Sequence, residues 1–157
     1  MSTKNDRQEA IIRLIRENDI STQDELTALM KKNGFKVTQA TCSRDIKDLG
    51  IIKVTGPGQT TKYAVLDRTG DIAPGRLLAV FSNSLLSCEC AMNLVVVRTL
   101  PGMANAAAAA LNSMRLQNVV GTIAGDDTIF IASQGIDEAK ALLSTIKDLM
   151  SSGNVEN

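Results

Sequence analysis

The sequence predicts an α+β protein built from two small domains, and three observations carry that prediction. Three short amphipathic helical patterns fall within the first fifty residues, the second and third bounded by a Thr and a Gly, and a polar hairpin follows them. The second half instead alternates β-branched apolar runs with helical runs in the order β-β-α-β-β-α. Between the halves, residues 67–75 hold two Gly and one Pro and break every periodic pattern. The boundaries expected are 1–68 for the first domain, 69–76 for a linker and 77–153 for the second domain. At 157 residues with 44% hydrophobic content, the chain is long enough for one mid-sized core or two small ones.

The elements of the first half follow in order. Helix one should span about 5–18, where Ile11, Ile12, Leu14 and Ile15 make a broad apolar face. Thr22 followed by Glu25 fits a capping box and opens a second helix through Leu26, Leu29 and Met30. Gly34 supplies the left-handed residue that ends it. Thr38 caps a third helix that Gly50 closes, and the connection 34–37 is as short as a helix-turn-helix requires. Residues 51–54 and 62–66 read as strands joined by a polar, Gly-rich turn. Three helices followed by such a hairpin make a winged helix-turn-helix, whose third helix enters the DNA major groove while the wing touches flanking phosphates.

That third helix has two faces. Cys42, Ile46 and Leu49 fall at i, i+4 and i+7, a narrow stripe that packs inward. Gln39, Ser43 and Lys47 fall at i, i+4 and i+8 on another side, with Arg44 beside them. An amide, a hydroxyl, a guanidinium and an ammonium are the groups that bond base edges and phosphates. An ordinary solvated helix face has the same composition, so charge distribution decides. Lys+Arg and Asp+Glu balance at 17 each over the whole chain, yet residues 1–66 hold eleven basic against eight acidic side chains, a balance of +3. Within 30–62, seven basic residues face only Asp45 and Asp48, a balance of +5. The positive field is concentrated around the two-faced helix.

In the second half, 77–81 should be a short helix, 85–90 a strand and 94–99 a second, β-branched strand. Pro101-Gly102 opens a helix containing five consecutive alanines, Ala106 to Ala110. Residues 118–124 and 128–132 read as two more strands, and an amphipathic helix runs from Ile136 to about Met150. This order gives an antiparallel sheet with helices on one face, a two-layer α+β sandwich. Its other face is bare, and the uninterrupted apolar run 94–97 predicts a strand covered on both sides, so the domain should oligomerise.

The chemistry on offer is limited. The chain has no His, which removes the usual general base and most zinc sites. Three cysteines, an odd count, fit a reducing compartment rather than a disulfide framework. Cys42 reads as a small buried hydrophobe, and Cys88 and Cys90 as packed side chains of one strand face. No apolar run approaches ~18 residues, and the first six residues lack a signal-peptide core, so a soluble, cytoplasmic protein without membrane association is expected. The turn Gly125-Asp126-Asp127-Thr128 is either a plain tight hairpin or a paired-carboxylate site. Two adjacent carboxylates between apolar strands favour a cation, and a guanidinium or ammonium ligand suits them better than Mg²⁺ or Ca²⁺, for which few further oxygens lie nearby in sequence. No metal and no enzyme activity are expected.

Two stretches resemble one family. Residues 38–45, Thr-Gln-Ala-Thr-Cys-Ser-Arg-Asp, are similar to the recognition-helix signature of bacterial arginine repressors, and 121–129, Gly-Thr-Ile-Ala-Gly-Asp-Asp-Thr-Ile, to their effector-binding signature. Both occur in the family's order, and the match of elements covers almost the whole chain. The resemblance implies a winged-helix DNA-binding domain and a C-terminal domain that forms a homo-hexamer of two stacked trimers, with L-arginine bound between trimers as corepressor and no other cofactor. It implies DNA contacts from Gln39, Thr41, Ser43, Arg44 and Lys47, and arginine contacts from Asn105, Asn112, Ala124, Asp126 and Asp127. Asn105 stands where familiar members carry Gln, and Asn112 where they often carry Asp, which removes one negative charge per site. The expected function is arginine-dependent repression of arginine biosynthesis genes through operator DNA, with activation of catabolic genes as an addition. Two alternatives remain: a paralogue that binds arginine weakly and acts with a second repressor, and a protein that binds other proteins rather than DNA.

Overall fold

The computed structural model describes residues 2–56, 58–66 and 74–152. The first unit contains α1 (Lys4–Glu17), α2 (Gln23–Lys32), α3 (Gln39–Asp48), β1 (Ile51–Thr55) and β2 (Thr61–Val65). Each helix begins where a threonine hydroxyl accepts a backbone N–H at 3.1 Å: Asp6 on Thr3, Glu25 on Thr22 and Thr41 on Thr38. Each cap satisfies one of the orphan donors of a first turn. The reciprocal half of the expected Thr22–Glu25 box is displaced, because the Glu25 carboxylate reaches one residue further back and accepts the Ser21 N–H at 3.0 Å. A complete capping box forms instead at Thr3 and Asp6. Gly34 (φ +88°) and Gly50 (φ +66°) take the left-handed conformation just beyond α2 and α3.

Ile11, Leu14, Leu26, Met30, Val37 and Cys42 form the core of this unit. β1 and β2 pair antiparallel from Ile51↔Val65 to Thr55↔Thr61. The Tyr63 N–H donates to the Ile20 carbonyl at 2.7 Å, fastening the hairpin to the α1–α2 connection.

The second unit contains α4 (Pro74–Ser84), β3 (Leu85–Ala91), β4 (Leu94–Thr99), α5 (Ala104–Met114), β5 (Gly121–Ala124), β6 (Thr128–Ala132) and α6 (Ile136–Ser152). The strands form one antiparallel sheet in the order β3-β4-β6-β5. Val95, Val97, Ile129 and Ile131 point to the helices and are fully buried with Phe81, Leu111, Leu142 and Ile146. Phe130 and Ile123, on the opposite face, are 48% and 72% exposed. The apolar run 94–97 is therefore not covered on both sides within one chain: Val95 and Val97 are buried, while Leu94 and Val96 are half-buried on the open face.

Most element ends fall within two residues of expectation, and three differences stand out. α4 is longer than 77–81, and residues 74–76, read as linker, are its first turn; 67–73, which include the expected end of the first domain at 68 and the rest of the linker, lie outside the described residues. β5 starts at Gly121 rather than 118, since Asn118 at φ +71° is not extended. β3 runs on to Ala91 and carries an irregularity between Leu85 and Ser87, consistent with a bulge.

The two units share a seam. Ile52 and Leu66 belong to the core of the second unit. The Thr55 N–H donates to Thr145 Oγ1 at 2.9 Å, and that hydroxyl lies 3.3 Å from the Ala141 carbonyl to which it donates. A Cβ at Gly75 would meet the carbonyl oxygens of Lys47 and Asp48 at 3.2 Å, so the end of α3 abuts the start of α4 closely enough that any larger residue would press on it.

Candidate functional site

The α3 stripe is set as its spacing predicts. Cys42 is fully buried and Ile46 and Leu49 half-buried. Burial raises the Cys42 thiol above its ordinary value, although a hydrogen bond with Thr27 works the other way. This thiol stays protonated and packs as a hydrophobe.

The opposite surface carries the polar residues, but they differ in availability. Arg44 and Lys47 are exposed and Ser43 is half-buried. Among the described residues Arg44 makes no ion pair. Thr41 is half-buried, with its hydroxyl 3.0 Å from that of the cap residue Thr38. Gln39 is exposed, yet both ends of its amide are engaged by α2: Oε1 accepts from Gln23 at 2.7 Å and Nε2 donates to Asp24. Those bonds fix the orientation of the amide and leave one N–H and one lone pair for a base contact.

The two carboxylates that interrupt the basic stretch do not lie on that surface. Asp45 accepts from Arg7 Nε at 2.5 Å, Arg7 Nη2 at 3.1 Å and Gln8 Nε2 at 3.0 Å, and Asp48 pairs with Lys4 at 3.0 Å. Burial pushes the Asp45 carboxyl up, but the hydrogen bonds from Arg7 and Gln8 and the charges of Arg7 and Lys4 outweigh it and leave it lowered. Sequence reasoning missed this turn of the helix. The signal was available, since position 45 is i+3 from Cys42 and i−4 from Leu49, on the inward side. On the wing, the Lys53 ammonium lies 5.4 Å from the Tyr63 ring centre, within cation–π range.

At the acidic turn, the Gly125 N–H donates to the Thr128 carbonyl at 2.8 Å. The turn is stapled to the β4–α5 connection: the Asp127 carbonyl accepts the Thr99 N–H at 2.8 Å, and the Asp126 carbonyl the Ala104 N–H at 3.1 Å. The Asp126 carboxylate accepts the Gly102 N–H at 3.3 Å. It therefore sits by the positive end of α5, where a negative charge is favoured. Asp127 Oδ1 accepts the Thr128 hydroxyl at 2.9 Å and Oδ2 lies 3.5 Å from Arg98 Nη2, with both side chains about half exposed.

Ala124 precedes this turn and Asn105 lies in the first turn of α5, so Ala124, Asp126, Asp127 and Asn105 come to one end of the helix. Asn112 stands seven residues along α5, about 10 Å away. It accepts the Thr122 hydroxyl at 3.1 Å. Arg98 was missed by sequence reasoning; its signal is its place opposite Thr128 at the end of the 94–97 run. Among the described residues there is no cluster of three or more His, Cys, Asp or Glu suited to a metal ion, and no helix is long and apolar enough to cross a membrane.

A winged helix-turn-helix with a basic, outward-facing third helix, joined to an α+β domain with an acidic turn beside a helix N-terminus, defines a class: DNA-binding regulators with a separate effector domain. Residues 2–71 match the family model described as the arginine repressor DNA binding domain, and residues 81–148 the one described as the arginine repressor C-terminal domain. The chain is 44% identical to the arginine repressor of Caldicellulosiruptor saccharolyticus over 151 residues, covering 96% of this chain and 99% of the relative. It is 45% identical to that of Caldicellulosiruptor bescii over the same shares, and 48% identical to that of Alkaliphilus oremlandii over 90% of this chain and 93% of the relative. The chain belongs to the arginine repressor family, and with it to the arginine-responsive DNA-binding transcriptional repressors.

Proposed function

We propose that this regulator is a cytoplasmic homo-hexamer of two stacked trimers that takes up L-arginine and then holds its winged helices on paired operator half-sites. Arg44 and Lys47, with Ser43, carry the operator contacts of α3, and Thr41 and Gln39 join them at the helix start. Asp126 and Asp127 accept the cationic groups of arginine, supported by Asn105 and the backbone at Ala124, with Asn112 at the far end of α5. No step is catalytic, and no metal or further cofactor takes part. The gene targets are arginine biosynthesis operons, with activation of catabolic ones added where operator position allows.

The observation that carries this reading is the half-exposed acidic turn stapled to the α5 N-terminus, on a domain whose sheet leaves Ile123 and Phe130 uncovered. A second subunit over that surface buries apolar area and shields the carboxylates, and shielding strengthens their demand for a cation. The ligand then acts by differential binding: it favours the assembly in which two subunits share the turn, and several weak DNA-binding domains gain affinity together through effective concentration. A second reading, a low-affinity paralogue that works beside another repressor, draws support from Asn112, which supplies hydrogen bonds but no charge where the family often carries Asp.

An electrophoretic-shift titration of operator DNA against L-arginine, with citrulline and lysine as controls, tests both. Retardation that rises with arginine and not with citrulline supports the first reading. Retardation indifferent to all three overturns an arginine-responsive role.

A further inference from the structure

We propose that Asp45 is a positioning residue for DNA recognition: held by the Arg7 fork and by Gln8, it fixes the rotation of α3 about its own axis and so the direction in which Arg44 and its neighbours point. The inference deepens the proposed contact role of α3 and rests on it.

Asp45 is 1% exposed in the middle of a helix whose other side meets solvent. Arg7 approaches it with two nitrogens, Nε at 2.5 Å and Nη2 at 3.1 Å, and Gln8 adds a third donor at 3.0 Å. A bidentate guanidinium–carboxylate pair constrains angle as well as distance, because two parallel bonds form only when the planar groups face each other. One turn on, Lys4 and Asp48 pair at 3.0 Å, so two clips run antiparallel between α1 and α3, joining residue 7 to 45 and residue 4 to 48.

Packing alone holds α3 loosely in rotation. Its stripe is narrow, with Cys42 buried and Ile46 and Leu49 half-buried, where a core-facing helix normally presents a broader apolar face. The N-terminal turn is held separately by α2 through Gln23, Asp24 and Gln39. Successive residues differ by roughly 100° around the axis, so fixing Asp45 inward fixes Arg44 toward solvent. A buried ion pair is a poor device for stability alone, since apolar residues of similar volume often do as well. Orientation is what this one supplies.

The test uses the full chain with saturating L-arginine and two fluorescent duplexes of equal length, one operator and one unrelated, titrated at several salt concentrations well below the melting temperature. Arg7→Lys keeps the charge but loses the fork. It should lower the operator-to-unrelated affinity ratio at least tenfold while leaving the salt slope on the unrelated duplex unchanged. Asp45→Asn should do the same, and if it fails to fold, Arg7→Lys decides alone. A ratio unchanged by Arg7→Lys overturns the proposal. Arg44→Ala run in parallel separates the two levels. Normal operator binding by Arg44→Ala defeats the contact reading itself, whereas its loss beside an unchanged Arg7→Lys ratio defeats only the positioning role.

Discussion

Replacing Thr145 by valine should loosen the joint between the two units, and the structure sets the size of the effect. Thr145 is 3% exposed and its Oγ1 accepts the Thr55 N–H at 2.9 Å, a contact between residues 90 positions apart. Valine keeps the outline and removes the acceptor. A buried N–H without a partner loses about 1–3 kcal/mol. The Thr55 hydroxyl is already buried without one, so two unsatisfied groups would then sit on one residue. At ~1.4 kcal/mol per tenfold, the ratio of joined to separated units should fall about 5- to 140-fold. Hydrogen exchange over 51–56 reads this directly: the Thr55 amide should exchange faster by that factor, while amides within α3 keep their protection. Thr55→Val, which removes the orphan hydroxyl, should slow the same exchange. Unchanged exchange at Thr55 in Thr145→Val would refute the reasoning, and so would uniform acceleration through α3, which would report global destabilisation.

Further outcomes follow from the two polar surfaces. Arg44→Ala should drop operator affinity at least tenfold, as expected for one base or phosphate contact repeated in several domains, with the assembly unchanged by light scattering. Asp127→Ala should weaken L-arginine binding by calorimetry at least tenfold, the loss expected for a charge-assisted contact of ~1.5–3 kcal/mol; equal affinity would take that carboxylate out of the site. Operator affinity should fall with salt at about −0.9 per phosphate contacted on a log–log plot, and a flat line would argue against phosphate anchoring. The Asp45 carboxyl is lowered in the folded chain, so its stabilisation is complete above the ordinary value of 3.8 and is lost as pH falls from there through the lowered one. Acid unfolding followed by circular dichroism should therefore lose a component below about pH 4 in Asp45→Asn.

Much of the fold was legible because local signals agreed with one another. Thr22 and Thr38 announce helix starts, Gly34 and Gly50 helix ends, and the hydroxyls and φ angles found there are those the residue types favour. What escaped was set by partners distant in sequence. Gln39 reads as a free amide until α2 is folded beside it, and the Thr55–Thr145 contact has no local trace. Which face of the apolar run 94–97 meets the helices is set in the same way: β-branched residues suit either face of a central strand, and only the folded sheet decides which side has a helix over it. The acidic turn was visible as a motif, but its staples to Thr99, Gly102 and Ala104 depend on β4 pairing with β6.

Two pairs of carboxylates in this chain receive opposite treatment, and the contrast bears on how the halves work together. Asp45 and Asp48 are three apart on a helix, so both turn toward α1, where Arg7 and Lys4 meet them at 2.5 and 3.0 Å. Internal cations answer both charges, which leaves the outward surface of α3 basic whatever the effector does. Asp126 and Asp127 are adjacent in a turn, and the in-chain cation at Asp127 is Arg98 at 3.5 Å, with both groups about half exposed. Such a pair is worth at most about 1 kcal/mol. An incoming guanidinium that makes two aligned bonds to a shielded carboxylate gains ~1.5–3 kcal/mol for each, so in the proposed site Arg98 would be a weak competitor. Affinity for DNA is thus built into the first unit permanently, whereas the second is left short of positive charge. On this reasoning, arginine does not switch on the DNA-reading surface. Under the proposed function, it decides how many such surfaces are held together.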